Sequence, residues 1–379
     1  MRGMRVAWDI TPLSVPMTGI GRYTQQAILA LAVQRPDWEI RLVCVAEAEG
    51  CDLAAAAFAE APANVEVVLV VRHPAVLERR LATRFGVRPI ERYVGAVDAF
   101  VDSEWYRPAQ GSGARLTVVY DLIPFRYPEW VDPRTRRAHL RAMRTLSSRV
   151  DRVIAISEAT RADVERFADV DPSRVSVAYS GIDAVFRRPD PVAPAVVGAH
   201  PYVIAVGTTT QRKNLEVALQ ALREVGDEHL HLVCVGASAD AEGAIQRQVA
   251  QLGLQGRVHR LGYVADHELA GHVAAAECLV FPSRFEGFGL PVVEAMAAGV
   301  SVAVSSAPSL DEAAGDAAVR FDPEDPRAAA EAIAETREPG VRDDLVARGF
   351  VHAAGFTWER SGEAIAAAVE QAVRQKAGA

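Results

Sequence analysis

Lysine is almost absent from this chain: of 41 basic residues only Lys213 and Lys376 are lysines, and every other one is arginine. An ammonium is a compact point charge and a guanidinium a planar fork, so the two are not interchangeable. Lys376 falls in the terminal tail, which leaves Lys213 as the one lysine expected inside the folded body. Cysteine is also scarce. Cys44, Cys51, Cys234 and Cys278 form no C-x-x-C pair, and three of them lie inside apolar runs. Buried free thiols of a reducing compartment are expected rather than disulfides or zinc. No H-E-x-x-H occurs and no D-x-D closes a strand, so no metal site is expected. No stretch approaches the ~20 apolar residues of a membrane span, and the opening MRGMRVAWDI does not read as a signal peptide. The expected location is therefore cytoplasmic. An excess of positive charge is missing too: the formal net charge is -8, which disfavours a general nucleic-acid binder.

What the chain does have is size and alternation. Its 379 residues exceed one ordinary core, so two domains are expected. Short apolar runs at 6–10, 40–46, 65–71, 99–103, 116–122, 152–157 and 174–180 read as strands, separated in part by helical patterns. Residues 187–200 carry three prolines and no periodicity, which suggests a linker. Alternation then resumes with runs at 202–208, 230–236, 258–264, 278–283 and 300–306. Strands apolar on both faces with helices between them imply parallel, doubly wound α/β sheets. The expected layout is a Rossmann-like domain over 1–186, the linker, a second such domain over 201–357, and an amphipathic helix at 358–375. A ligand is expected in a cleft between the domains, at the carboxyl ends of strands.

The strongest local signal is Phe285-Glu286-Gly287-Phe288-Gly289-Leu290-Pro291-Val292-Val293-Glu294. It follows an apolar strand, turns on two glycines, and enters a helix through Pro291, whose missing N–H costs nothing there. Bare amides at a helix N-terminus suit a phosphate. Glu286 should stand in the loop at the mouth of the site, and Glu294 about one turn into the helix. A plain strand–loop–helix joint with two solvated glutamates would read the same way. The segment 281–299 resembles the donor-site motif of the family 4 retaining glycosyltransferases, which have the GT-B fold. The resemblance implies that Glu286 contacts the donor sugar, that Glu294 binds the ribose hydroxyls, and that amides near Phe288, Gly289 and Leu290 meet the diphosphate or sugar.

A second stretch, 206–222, carries Gly207, Arg212, Lys213 and Asn214; Asn214 is a good N-cap type. It is similar to the family's G-x-x-x-x-R-K-N-L segment, which implies pyrophosphate contacts for Arg212 and Lys213. Thr208 replaces the arginine that commonly follows the glycine. A third, Thr18-Gly19-Ile20-Gly21-Arg22-Tyr23, lets the chain turn tightly before a helix and resembles a family loop near the phosphate or acceptor. A fourth, Tyr120-Asp121-Leu122, ends a strand. The family often has His-Asp there, so Tyr120 departs from the pattern and Asp121 becomes the candidate, either in the site or as a turn residue. Tyr263 and Val264 resemble the loop that meets the base. Arg134, Arg136, Arg137, Arg141, Arg144, Arg149 and Arg152 crowd one segment. It reads first as a solvated helix face and second as a surface for an anionic membrane.

The implied activity is transfer of a hexose, mannose favoured, from a nucleotide-diphosphate sugar to a glycan, lipid-linked or small-molecule acceptor. GDP-mannose is the favoured donor and a UDP-sugar the second; no cofactor is expected. Lys213, Arg212 and helix dipoles would stabilise the leaving diphosphate, and Glu286, Lys213 and Asp121 would carry the chemistry. A sugar-nucleotide epimerase of the same architecture and a non-catalytic nucleotide-sugar-binding subunit are the rival readings.

Overall fold

The computed structural model describes residues 3–77, 79, 81, 89–102 and 108–378. The chain forms two compact units. The first comprises Met1–Gly181 with Trp358–Ala379, and the second Ile182–Thr357.

The first unit holds a seven-stranded parallel sheet in the order β3-β2-β1-β4-β5-β6-β7. Its strands are β1 (Arg5–Asp9), β2 (Glu39–Ala46), β3 (Val65–Val71), β4 (Ala99–Asp102), β5 (Ala114–Val119), β6 (Arg152–Ala155) and β7 (Val175–Val177). Ser103, expected to close the fourth strand, lies outside the described residues. Strand β2 shows why the runs are apolar throughout. Ile40, Leu42 and Cys44 enter the core on one face, and Val43 and Val45 the core on the other, as the two-residue period of a strand requires.

The C-terminal helix Trp358–Ala377 belongs to this unit and packs on the helix Gly19–Gln34. Ile365, Ala366, Val369 and Ala372 are fully buried there. Gly362 permits the approach, because a Cβ on it would stand 2.8 Å from the Ala30 carbonyl carbon. Lys376 is no loose tail residue: it lies in the last turn of this helix, with Nζ 3.2 Å from Asp151. The arginine-rich segment also differs from expectation. Its helix stops at Arg144 and resumes at Leu146–Arg149, and Arg152 is buried in β6, bonded to Ser176. Arg152 thus contributes nothing to a basic surface.

The second unit holds a six-stranded parallel sheet in the order β10-β9-β8-β11-β12-β13. The strands are β8 (Tyr202–Val206), β9 (His231–Val235), β10 (Val258–Gly262), β11 (Cys278–Phe281), β12 (Ser301–Ser305) and β13 (Val319–Phe321). Residues 187–200, expected as a linker, lie in this unit. Arg188 N–H donates to Ala297 O and Val192 N–H to Gly271 O. Three helices beyond β12, Pro308–Ala314, Pro326–Arg337 and Pro339–Ala353, each open on a proline. All four cysteines are buried free thiols. No helix among the described residues is long and apolar enough to cross a membrane.

Candidate functional site

In the second sheet the strand order runs outward in both directions from the β8–β11 pair. The carboxyl ends of such a pair leave an open crevice, the usual ligand position in doubly wound sheets. The loops after β8 and β11 bring Lys213, Arg212 and Glu286 together there.

Glycine makes the first loop possible. Gly207, directly after β8, has φ +146°, and Gly236, directly after β9, has φ +144°. Gly207 N–H donates to Val235 O, and Gly236 N–H to Gly262 O. A Cβ on Gly236 would lie 2.2 Å from the Gly207 oxygen, and one on Gly207 would lie 3.0 Å from Lys213 Cε. The lysine side chain therefore occupies the space above Gly207. It emerges from a short 3-10 turn, Gln211–Lys213, and the chain then passes through Asn214 at φ 54° and ψ 36°. Asn214 does not cap the helix Leu215–Glu224 with its side chain, as its type suggested. Its amide instead donates to Pro282 O at 3.1 Å and Pro323 O at 2.6 Å, tying the two loops together. Arg284 N–H to Arg212 O, 2.8 Å, is a second tie.

Glu286 sits between two cations. Lys213 Nζ is 2.7 Å from Oε1, and Arg212 Nη1 is 2.6 Å from Oε2. The alternative of a plain joint with a solvated glutamate does not hold here: Glu286 is only 8% exposed. Burial alone would raise its carboxyl, but Lys213 and Arg212 outweigh that and hold it at about 2. Burial pulls the Lys213 ammonium down, and Glu286 opposes the pull. Lys213 Nζ also lies 4.8 Å from the centre of the Phe281 ring, a favourable cation–π distance. Arg212 reaches Phe285 O as well, at 3.2 Å, and the Ser309 hydroxyl donates to Glu286 O at 2.6 Å. Gly289 (φ +113°) then turns the chain into the helix Leu290–Ala297, with Glu294 buried in its second turn. A Cβ on Gly289 would press to 2.7 Å from Leu310.

Comparison with known proteins decides the family. Residues 18–186 match the family model described as Glycosyltransferase Family 4, and residues 200–338 the one described as Glycosyl transferases group 1. The chain is a family 4 glycosyltransferase. It is 28% identical over 388 aligned residues to the O-antigen chain mannosyltransferase B of Escherichia coli, covering 94% of this chain and 97% of that one. Its fold is that of the GT-B enzymes. Sucrose-phosphate synthase of Thermosynechococcus elongatus superposes with a TM-score of 0.76 at 19% identity, over 97% of this chain and 98% of that one. The Anabaena protein HepE in complex with UDP-glucose gives 0.72 at 18% identity, over 97% and 100%.

The other residues singled out in the glycosyltransferase sequence stand as follows. Phe288 is buried with its ring 5.2 Å from Phe356, and Leu290 is half-buried. Tyr263 follows β10 and is 71% exposed; Val264 beside it is half-buried. Asp121, Gly19 and Gly21 belong to the first unit. The two glycines do not form a turn before the helix; they are its first and third residues, and Gly21 N–H donates to Thr18 Oγ1 at 3.1 Å. Asp121 accepts Ile123 N–H at 3.1 Å, a turn contact. Tyr120 is buried, its hydroxyl 2.9 Å from that of Thr24.

Sequence reasoning missed the brace around the Gly207 loop. Thr209 Oγ1 donates to Glu242 at 3.0 Å and accepts Ala239 N–H at 2.8 Å, while Arg260 meets Glu242 at 2.8 Å. Burial would raise the Glu242 carboxyl, but hydrogen bonds from Ser238, Thr209 and Arg260 hold it below the usual carboxylate range. Thr209, Glu242 and Arg260 are far apart in sequence, so only the ends of β8, β9 and β10 bring them together.

Proposed function

We propose that this glycosyltransferase moves a hexose, mannose first among them, from a nucleotide-diphosphate sugar to a glycan, lipid-linked or small-molecule acceptor, with retention at the anomeric carbon. GDP-mannose is the favoured donor and a UDP-sugar the second. The observation that carries the reading is the Lys213–Glu286–Arg212 cluster at the β8–β11 crevice, beside the Gly287–Gly289 turn. Two fixed cations near a helix N-terminus suit a departing diphosphate, and a carboxylate held ionised suits sugar hydroxyls. The E. coli mannosyltransferase supports the choice of sugar. The UDP-glucose complex supports a nucleotide-sugar donor.

In this reading the donor C1–O bond to phosphate breaks on the face where the acceptor oxygen bonds to C1. The acceptor proton passes to the leaving phosphate oxygen. Lys213 and Arg212 stabilise the charge that develops on the diphosphate, and Glu286 orients the sugar. Glu294 takes the ribose hydroxyls, amides near Phe288, Gly289 and Leu290 take the phosphates, and Tyr263 with Val264 borders the base. Asp121, Gly19 and Gly21 are the candidate residues that the first unit carries. The exposed arginines of Pro133–Arg144 would rest on an anionic membrane at the cytoplasmic face when the acceptor is lipid-linked.

The test is a thermal-shift screen against GDP, UDP and dTDP sugars, where a ligand at 100 times its Kd adds about 2.7 kcal/mol, followed by transfer assays on glycan acceptors. Stabilisation by one nucleotide sugar, with anomeric retention in the product, is expected. Conversion of the donor alone, seen by NMR, would make the protein an epimerase. Binding without turnover on any acceptor would make it a non-catalytic subunit.

A further inference from the structure

The cluster of Lys213, Arg212 and Glu286 has a consequence for which ligands it holds. Its carboxylate is not waiting in solvent for a sugar. It is buried, with Lys213 Nζ at 2.7 Å and Arg212 Nη1 at 2.6 Å. The backbone on either side is pinned. Ser309 donates to Glu286 O, Arg212 reaches Phe285 O, and Arg284 N–H donates to Arg212 O. The anion therefore resides beside the cations as part of the protein's own packing.

The geometry points to Glu286 as an internal competitor for the diphosphate: it half-neutralises the Lys213–Arg212 pair, so that the nucleoside diphosphate alone is held weakly and a donor still carrying its sugar is held better. This inference rests on the reading of the cluster as the diphosphate site. The physics is the sign of the charges. Lys213 and Arg212 share the Glu286 carboxylate, and a like charge next to an anion site weakens anion binding. The sugar of an intact donor recovers the loss, because the same carboxylate accepts hydrogen bonds from its hydroxyls. Once the sugar has been transferred that recovery is gone, and the diphosphate product leaves against a resident anion. Glu286 thus favours donor over product and speeds release.

The experiment is calorimetric titration of the full chain with GDP, UDP and the corresponding sugar nucleotides, for the wild type, Glu286→Gln and Glu286→Asp. For the nucleotide that the wild type binds, Glu286→Gln is expected to bind the bare diphosphate roughly tenfold more tightly. The preference for sugar nucleotide over bare diphosphate should fall, and product inhibition should set in at lower concentration. Glu286→Asp keeps the charge and is expected to stay near the wild-type diphosphate affinity. Should Glu286→Gln melt below the titration temperature, Glu286→Ala carries the same expected sign. Unchanged or weaker diphosphate binding by the neutral variants would overturn the competitor role and leave the site reading intact. Equal tightening by Glu286→Asp would also overturn it, since packing and not charge would then be at work. A wild type that binds neither GDP nor UDP would remove the site reading itself.

Discussion

The two ends of the second sheet bury ionisable groups in opposite ways. At the carboxyl ends of β8 and β11, Glu286 is buried against Lys213 and Arg212, and opposite charges keep it ionised. At the amino ends of β8, β9 and β10 stand four histidines. The His200 and His231 rings are 4.3 Å apart, His231 and His259 5.0 Å, and His200 and His229 6.2 Å. No carboxylate meets the inner pair at hydrogen-bond distance among the described residues; His231 Nδ1 lies 2.9 Å from His259 Nε2. That bond needs one bare ring nitrogen, so the pair cannot be doubly protonated and keep it. Burial comes first and the neighbouring rings second in holding both below the ordinary histidine value, with Arg257 adding to the effect on His231. One end of the sheet solves burial by pairing charges, the other by giving charge up. Only the first can act on an anion.

Lys213→Ala breaks this contrast hardest. It removes the cation over Gly207 and leaves Glu286 with one of its two cationic partners. Transfer, read as kcat/KM, should fall by about 10²–10³, the usual scale for losing one group that stabilises developing charge. A sugar-transfer assay on folded protein checks it, and near-normal transfer would remove Lys213 from the chemistry.

Next in size is Gly236→Ala. The new Cβ would stand 2.2 Å from the Gly207 oxygen, at a φ of +144° that side chains rarely adopt. The loop that carries Lys213 would have to shift, and stability should fall by about 2–4 kcal/mol, measured by urea unfolding. Gly226→Ala, at φ +77° with open space around it, serves as the comparison. It carries only the backbone strain, so its cost should be the smaller of the two.

These glycines also mark what could be read before the fold was known. The parallel sheets were legible because strands such as β2 are apolar on both faces, and the Phe285–Glu294 segment was legible because glycine, proline and carboxylate spacing are local. The family resemblance put Lys213 and Glu286 in one site, but their direct ion pair was not legible, since 73 residues separate them and only the strand order sets their loops side by side. Asn214 misled for a related reason. Its type suggests a cap, but carbonyls of Pro282 and Pro323 compete for its amide and win. The helices opening at Pro308, Pro326 and Pro339 carried a readable start signal in their prolines.

The histidine end yields a smaller effect with a definite sign. The unfolded chain takes up protons near the ordinary histidine value of about 6.5, before the folded chain does. Stability is therefore full above that pH and declines as pH falls through it. The melting temperature should drop by roughly 2–4 °C per kcal/mol lost between about pH 7 and pH 5. His259→Gln should flatten that slope, because it removes one of the depressed groups. An unchanged slope would mean that the ring cluster does not titrate with folding.

The smallest expected effect isolates position from residue type. Lys376 is the other lysine of the chain, and it too meets a carboxylate, Asp151 at 3.2 Å. Its side chain is 52% exposed, against 15% for Lys213. An exposed pair is screened by water and contributes about 0–1 kcal/mol. Lys376→Gln should leave transfer unchanged and move stability by no more than about 0.5 kcal/mol, as a urea midpoint would show. If Lys376→Gln cost as much as Lys213→Ala, scarcity of lysine would matter more than burial at the β8–β11 crevice. The ionic cluster there would then have no claim to be special.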